Sequence, residues 1–438
     1  MKGWKLPIRL VAVLLCGIIV GFCLMLAVYA LPVAPMAKNV KASVPAMNGE
    51  WAAETMHEQM LPGYQTTQLD NTTDSAMLLL AVYEGNEPLL ERATECYRYV
   101  GDETTYQLFL RYGETGSEGM AKAPVARYWH GYLLFLKPLL LFLSYIDIRM
   151  VLTLVEGAML VALIAGLCKR KLWQLVPCFA LSLVFITPVA AGFSMQFSTT
   201  FCTLLVAMLL LLYLPAKAFE GHGLAMFFLL VGMFTSFVDY LTYPVASFGM
   251  PMVMCLFLFP ARTAGEEWKR LIVCGLCWVM GYFGMWAGKW VIAGLFGNEQ
   301  WFWPNLMAKI AERSSNMSDE ISLGYLDVLK AVLKIFVKRA YLLLAVAVLL
   351  AWLAALSRGL RKHWPACGVP LGRQLALLGL ALLPFAWFFC TKNHTFNHAY
   401  FTSRSLCVSA FAISAWLAGF VRRPPEAQAG LAAANEKT

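Results

Sequence analysis

Residues 10–31 form an apolar run without one charged side chain, framed by Arg9 and Pro32, and similar runs recur along the chain. An α-helix needs roughly 20 mostly apolar residues to cross the bilayer's hydrocarbon layer, and every backbone polar group there must be satisfied within the segment. A chain built from repeated runs of this length is confined to a bundle of spanning helices. Composition agrees: 60% of the 438 residues are hydrophobic and only 14% are charged, where soluble domains carry about a quarter charged residues. The formal charge of +9 is therefore read through topology, because basic residues hold loops on the cytoplasmic side. Nucleic acid is not an expected partner.

The fold class expected is an all-α polytopic integral membrane protein with about ten transmembrane helices and a long extracytoplasmic first loop that carries short amphipathic helices. The spans fall at residues 10–31, 148–167, 172–190, 199–214, 224–243, 245–259, 271–295, 340–356, 374–390 and 405–421. Alternation then puts Lys169-Arg170-Lys171, Lys217, Arg262, Lys269-Arg270, Arg358, Arg361-Lys362, Arg373 and Arg422-Arg423 inside, as the positive-inside rule requires. Four regions follow: residues 1–31 as first span, 32–147 as extracytoplasmic loop, 148–421 as bundle and 422–438 as cytoplasmic tail. The first run is too long for the apolar core of a signal peptide, so it reads as a retained span. Of twelve cysteines, all but Cys96, Cys367 and Cys390 fall in apolar runs and read as small buried hydrophobes.

Most of the polar chemistry lies between residues 69 and 149. It holds Asp70, Asp74, the Asp102-Glu103 pair, the run Arg127-Tyr-Trp-His130-Gly131, Pro138-Leu139 and Arg149. Residues 77–83 and 106–112 read as short amphipathic helices, and residues 132–145 are apolar but too short to span, which suits an interfacial segment. Asp74 precedes a helix expected over 75–83, where a carboxylate would cap the first turn.

No phosphate-binding glycine loop, His-Glu-x-x-His or Gly-x-Ser-x-Gly motif is present, which argues against soluble-nucleotide, zincin and serine-hydrolase chemistry. Cys274-x-x-Cys277 lies within a span and reads as core packing. His394 and His398 are spaced to share a helix face. A metal is conceivable for them, but Lys392 and Arg404 nearby favour an anion such as a phosphodiester. No cofactor is expected. Lys289 and Asp239 lie at outer span ends and Glu156 lies deeper, where an ionisable group is costly and needs a partner or a function; for Glu156 helix pairing is the simpler account.

A first span, a long outer loop with an acid, a His-led Pro-Leu segment along the membrane, an Arg and a span ending in a basic cluster resembles the opening of the GT-C class of polytopic glycosyltransferases. The resemblance covers about the first third of the chain, with His130-Gly131, Pro138-Leu139 and Arg149 at comparable places. Gly131 stands where many members have the first Pro of a His-Pro-Pro-Leu run. The resemblance implies transfer of a sugar from a polyprenyl-phosphate-type donor to a glycan, lipid or protein acceptor, on the extracytoplasmic side of a bacterial-type plasma membrane. It implies an outer-loop carboxylate as general base, often within an Asp-Glu pair, of which Asp102-Glu103 is the one here; position at a helix start ranks Asp74 first, then Asp70, then Asp102. The donor phosphate would fall to Arg127, His130, Lys289, His394, His398 and Arg404. A polysaccharide polymerase or ligase is the alternative enzyme. A lipid-linked sugar flippase or transporter would be expected to show repeats or broken helices, which the sequence does not display.

Overall fold

The computed structural model describes residues 5–49, 59–297, 302–318, 321–360 and 370–420. Cys367, Arg361-Lys362, Arg422-Arg423 and the expected tail fall outside them. The chain is an all-α membrane protein. Helix α1 (Lys5–Tyr29) leads into a polar segment with α2 (Val33–Gly49), α3 (Asn71–Ala81), α4 (Leu89–Glu95), β1 (Arg98–Val100), α5 (Thr105–Thr115), β2 (Ala121–Ala123) and α6 (Leu133–Leu140). The bundle follows with α7 (Tyr145–Lys169), α8 (Leu175–Ile186), α9 (Pro188–Gly192), α10 (Met195–Tyr213), α11 (Gly223–Val238), α12 (Ala246–Leu258) and α13 (Ala264–Phe296). Then come α14 (Phe302–Ser314), the hairpin β3 (Met317–Ser318) and β4 (Ile321–Ser322), α15 (Tyr325–Lys334), α16 (Arg339–Leu360), α17 (Leu371–Cys390), α18 (Lys392–Asn397), α19 (Ala399–Thr402) and α20 (Leu406–Ala418).

Among the described residues, seven helical stretches are long and apolar enough to cross a membrane: Leu6–Tyr29, Tyr145–Lys169, Met195–Tyr213, Ala264–Phe296, Arg339–Ser357, Leu371–Cys390 and Ala399–Ala418. The other three expected spans are shorter apolar helices, α8, α11 and α12, of 12, 16 and 13 residues. At 1.5 Å per residue they reach roughly 18, 24 and 20 Å, short of the ~30 Å hydrocarbon layer. The first of these stops at Thr187, whose φ is 53°. Thr187 precedes Pro188, and a residue before proline is pushed out of the helical region.

Helix directions alternate. At one end the polar segment touches the close of α1, α13 and the start of α7, α10 and α20. Tyr145 N–H donates to Ser43 Oγ at 2.7 Å, Ser194 before α10 reaches Asp74, Lys289 near the end of α13 reaches Thr94, and Arg404 before α20 reaches Thr66. At the opposite end Arg170 donates to Leu212 O at 2.7 Å, and Arg373 at the start of α17 pairs with Glu267 at the start of α13 at 3.0 Å. All the polar chemistry of residues 69–149 therefore sits on one lip of the bundle.

Two elements of this lip differ from expectation. Helix α2 packs Met36, Val40 and Met47 into the core with no exposed surface; its period of three and four is helical. Helix α3 begins one turn before the expected start, so the cap is Asp70 and Asp74 lies inside the first turn.

Candidate functional site

Asp70 fixes the start of α3. Its carboxylate accepts from Thr73 N–H at 3.0 Å and Thr73 Oγ1 at 2.8 Å, which satisfies an otherwise orphan donor of the first turn. It also accepts from Tyr400 Oη at 2.8 Å, from the far end of the chain. One turn on, Asp74 points into the lip and is fully buried. Arg149 Nη2, 1% exposed, lies 3.5 Å from its Oδ2, and Ser194 Oγ donates to Oδ1 at 3.2 Å. The same Nη2 donates to Asn71 Oδ1 at 2.7 Å, and the guanidinium lies 4.8 Å from the centre of the Tyr145 ring. Tyr145 itself accepts Met195 N–H at 3.2 Å and hydrogen-bonds the Asp74 carboxyl.

Burial dominates the electrostatics of Asp74. It pushes the carboxyl up from the usual 3.8 to about 6, against the pull of Arg149, Tyr145 and Ser194, with Asp70 adding to the rise. A carboxylate with that value is half-protonated just below neutral pH and well placed to take a proton.

Arg404 joins this cluster from the α20 side. It is buried, donates to Tyr400 O at 2.9 Å and Thr66 O at 3.0 Å, and lies 4.1 Å from the centre of the Phe197 ring. Thr66 Oγ1 in turn hydrogen-bonds Tyr341 Oη of α16. Asp70, Asp74, Arg149, Tyr400 and Arg404 thus form one polar knot where α3, α7, α10 and α20 meet.

The other expected cations lie elsewhere on the lip. His130 Nε2 is 3.0 Å from Val125 O and its Nδ1 is 3.1 Å from Tyr132 Oη; burial brings the imidazole down to about 3, so it is neutral. Lys289 donates to Thr94 O at 2.6 Å, and Trp290 Nε1 donates to Arg127 O at 3.1 Å. Around His130 gather Tyr128 and Tyr240, with Arg313 5.5 Å from the centre of the Tyr128 ring. The His394 and His398 rings are 4.9 Å apart. His394 is buried, with Nε2 2.9 Å from Leu241 O, while His398 is exposed and stacked on Phe401. No group of three or more His, Cys, Asp or Glu among the described residues is arranged to hold a metal ion. Asp102 is exposed in the turn before α5, and Glu103 beside it pairs with Arg111 at 2.6 Å. Asp102 therefore stands apart from Asp70 and Asp74.

Several residues of the knot were not among the expected site residues: Asn71, Arg149, Ser194, Tyr145 and Tyr400. Arg149 alone carried a signal, since a guanidinium in the first turns of a spanning helix needs a partner. Hydroxyl and amide side chains near helix ends are too common to single out.

Gly131 has a physical reason. A Cβ there would collide with both the carbonyl oxygen and the ring of Phe237, and the glycine N–H donates to that same carbonyl at 2.8 Å. Proline at this position would both collide and remove the donor. Gly131→Ala is expected to lower thermal stability in detergent by about 1–3 kcal/mol, the usual range for overpacking. An unchanged melting midpoint would show that Phe237 yields without cost.

Neither a protein-family model nor a curated protein nor a solved structure matches this chain.

Proposed function

We propose that the protein is a membrane glycosyltransferase that moves a sugar from a polyprenyl-phosphate-type donor to an extracytoplasmic acceptor, with Asp74 as general base. The observation that carries this reading is the Asp74 carboxyl itself, held at about 6 between Arg149 and Ser194 where the polar segment meets the spanning helices. A base at that value takes a proton from an acceptor hydroxyl as the glycosidic bond forms. Arg404 stands on the Tyr400 side of the knot, buried and donating to Tyr400 O and Thr66 O, and once freed by an opening of the lip would hold the donor phosphate with exposed His398 as charge builds on it. Arg127, with Arg313 and the Tyr128–Tyr240 pair, would take the remainder of the donor. Asp74 has no exposed surface, so the lip must open between α3 and the Arg149, Tyr145 and Ser194 side chains that cover it for an acceptor to reach it.

The decisive experiment reconstitutes the purified protein in liposomes with a radiolabelled polyprenyl-phosphate sugar and a membrane-extract acceptor. Transfer is expected, and its absence with every polyprenyl-phosphate sugar tried would sink the reading. Orientation has its own test. A membrane-impermeant maleimide is expected to label Ser117→Cys, an exposed position before β2, in intact cells. Labelling confined to permeabilised cells would put the site on the cytoplasmic face.

A second reading, transport of a lipid-linked sugar, is favoured by one observation: the apolar stretch from α8 to α9 is broken at Thr187, as in transporters built on discontinuous helices. Movement of a labelled lipid between leaflets without glycosidic transfer would select it.

A further inference from the structure

Helix α7 presents Leu154, Val155 and Val161 outward, at 71%, 45% and 69% exposure, and turns Glu156, at 2%, into its seam with α10. There Glu156 Oε1 lies 2.8 Å from Ser198 Oγ and 3.9 Å from Cys202 Sγ. No cation pairs with it among the described residues.

Ser198 Oγ also lies 2.7 Å from the carbonyl oxygen of Ala191. A hydroxyl carries one hydrogen, and a carbonyl oxygen can only accept. Once that hydrogen is given to Ala191, the short contact to Glu156 needs a hydrogen from the carboxyl. The alternative leaves a carboxylate in an apolar seam with only the Ser198 hydroxyl and the Cys202 thiol, 3.9 Å away, as donors, and turns the Ser198 and Ala191 oxygens against each other at 2.7 Å, a costly burial. Asp239 shows how this chain surrounds a buried carboxyl with donors: it accepts from Leu241 N–H at 3.0 Å, Thr242 N–H at 3.1 Å, Thr242 Oγ1 at 2.5 Å and Thr200 Oγ1 at 2.9 Å. Glu156 has no such cradle.

We propose that Glu156 is a proton-binding site inside the membrane, a neutral carboxylic acid at rest that gives its hydrogen to Ser198 and exchanges it along the α7–α10 seam. The seam leads to the polar knot. Glu156 and Arg149 are seven residues apart on one face of α7, and Ser198 follows Ser194 by one turn of α10. Thr153 lies between them, donating to Arg149 O at 2.9 Å. The other titratable groups facing Glu156 are Cys202 of α10 and Tyr243 of the connection into α12, with Asp239 and Arg404 beyond Tyr243. Release of the proton leaves a carboxylate that competes for the Ser198 hydrogen, so the Ser198 bond to Ala191 O is lost while that carbonyl keeps Ser194 N–H at 3.0 Å. Intramembrane acids of this kind serve proton relays in pumps and transporters. The inference does not depend on the transferase reading.

Infrared spectroscopy of the full-length protein in liposomes tests it. The wild type is expected to show a protonated-carboxyl C=O absorption that E156Q loses and E156D shifts; identical absorption in wild type and E156Q overturns the proposal. Dicyclohexylcarbodiimide locates the acid: the carboxyl O–H adds across one C=N bond, its hydrogen ends on one nitrogen, and the acyl group then migrates to the other. Mass spectrometry is expected to find the N-acylurea on Glu156, fading as pH rises. An adduct on other carboxyls but not on Glu156 counts against the proposal, and this readout needs no variant to fold.

Discussion

Asp74→Asn is expected to fold normally and to lose sugar transfer by roughly 10²–10⁴-fold, the usual worth of a general base. Asparagine keeps an oxygen for Arg149 and Ser194, in nearly the same volume, but cannot accept the acceptor's proton. Because Asp70 and not Asp74 caps α3, the change does not touch the helix start. Wild-type rate should rise as pH climbs through about 6 and level off above it, since the ionised carboxylate is the active form. Stability runs the other way. The folded chain holds this proton more tightly than the unfolded chain, so the contribution is fully present below the ordinary 3.8 and is lost as pH rises through about 6. The amide of the variant does not titrate, so its melting midpoint should be flatter across this window. Initial rates in liposomes and melting curves over the same pH range check both statements. An Asp74→Asn protein that transfers sugar at the wild-type rate would move the base to Asp70.

The spans and the gathering of polar chemistry on one lip are legible in the sequence because both follow from local composition: apolar runs, and charge between them. Among the described residues, seven of the ten expected runs are helices long and apolar enough to cross a membrane, and the other three are shorter apolar helices. What fails is local in a different way. Helix α2 has a helical period in Val33, Met36, Val40, Val44 and Met47, yet Lys38, Lys41 and Pro45 make it look like loop. The start of α3 is misplaced because Asn71, Thr72 and Thr73 show no apolar period, while its true signal is the Asp70 side chain on Thr73 N–H. Asp70 and Asp74 can be read as candidates from their position, but their partners cannot. Arg149, Ser194 and Tyr400 lie 75, 120 and 330 residues away, and only helix packing brings them in. The same holds for the cations. Lys289, His394 and Arg404 are each engaged by a backbone carbonyl of a distant segment, Thr94, Leu241 and Thr66, and carbonyls leave no mark in a sequence.

Arg149→Met is expected to be the most destabilising single change at this lip. The guanidinium is 1% exposed, faces Asp74 at 3.5 Å, holds Asn71 at 2.7 Å and covers the Tyr145 ring. Methionine retains much of the apolar stem but leaves the Asp74 carboxyl buried without its counter-charge. Removing one partner of a buried pair costs about 3–5 kcal/mol, far more than the pair itself contributes relative to neutral groups. Part of that loss is avoidable by protonation, and without Arg149 the carboxyl keeps its proton to a pH above about 6, so the deficit should be smaller at acid pH and grow as pH rises past that value. Arg149→Lys restores the charge but not the planar fork or the ring contact, and should fall between the two. The double variant Asp74→Asn with Arg149→Met removes both charges and should recover most of the lost melting temperature in detergent. If the double variant melts no higher than Arg149→Met alone at neutral pH, the unpaired carboxylate is not the cause, and the loss belongs to the Asn71 and Tyr145 contacts instead.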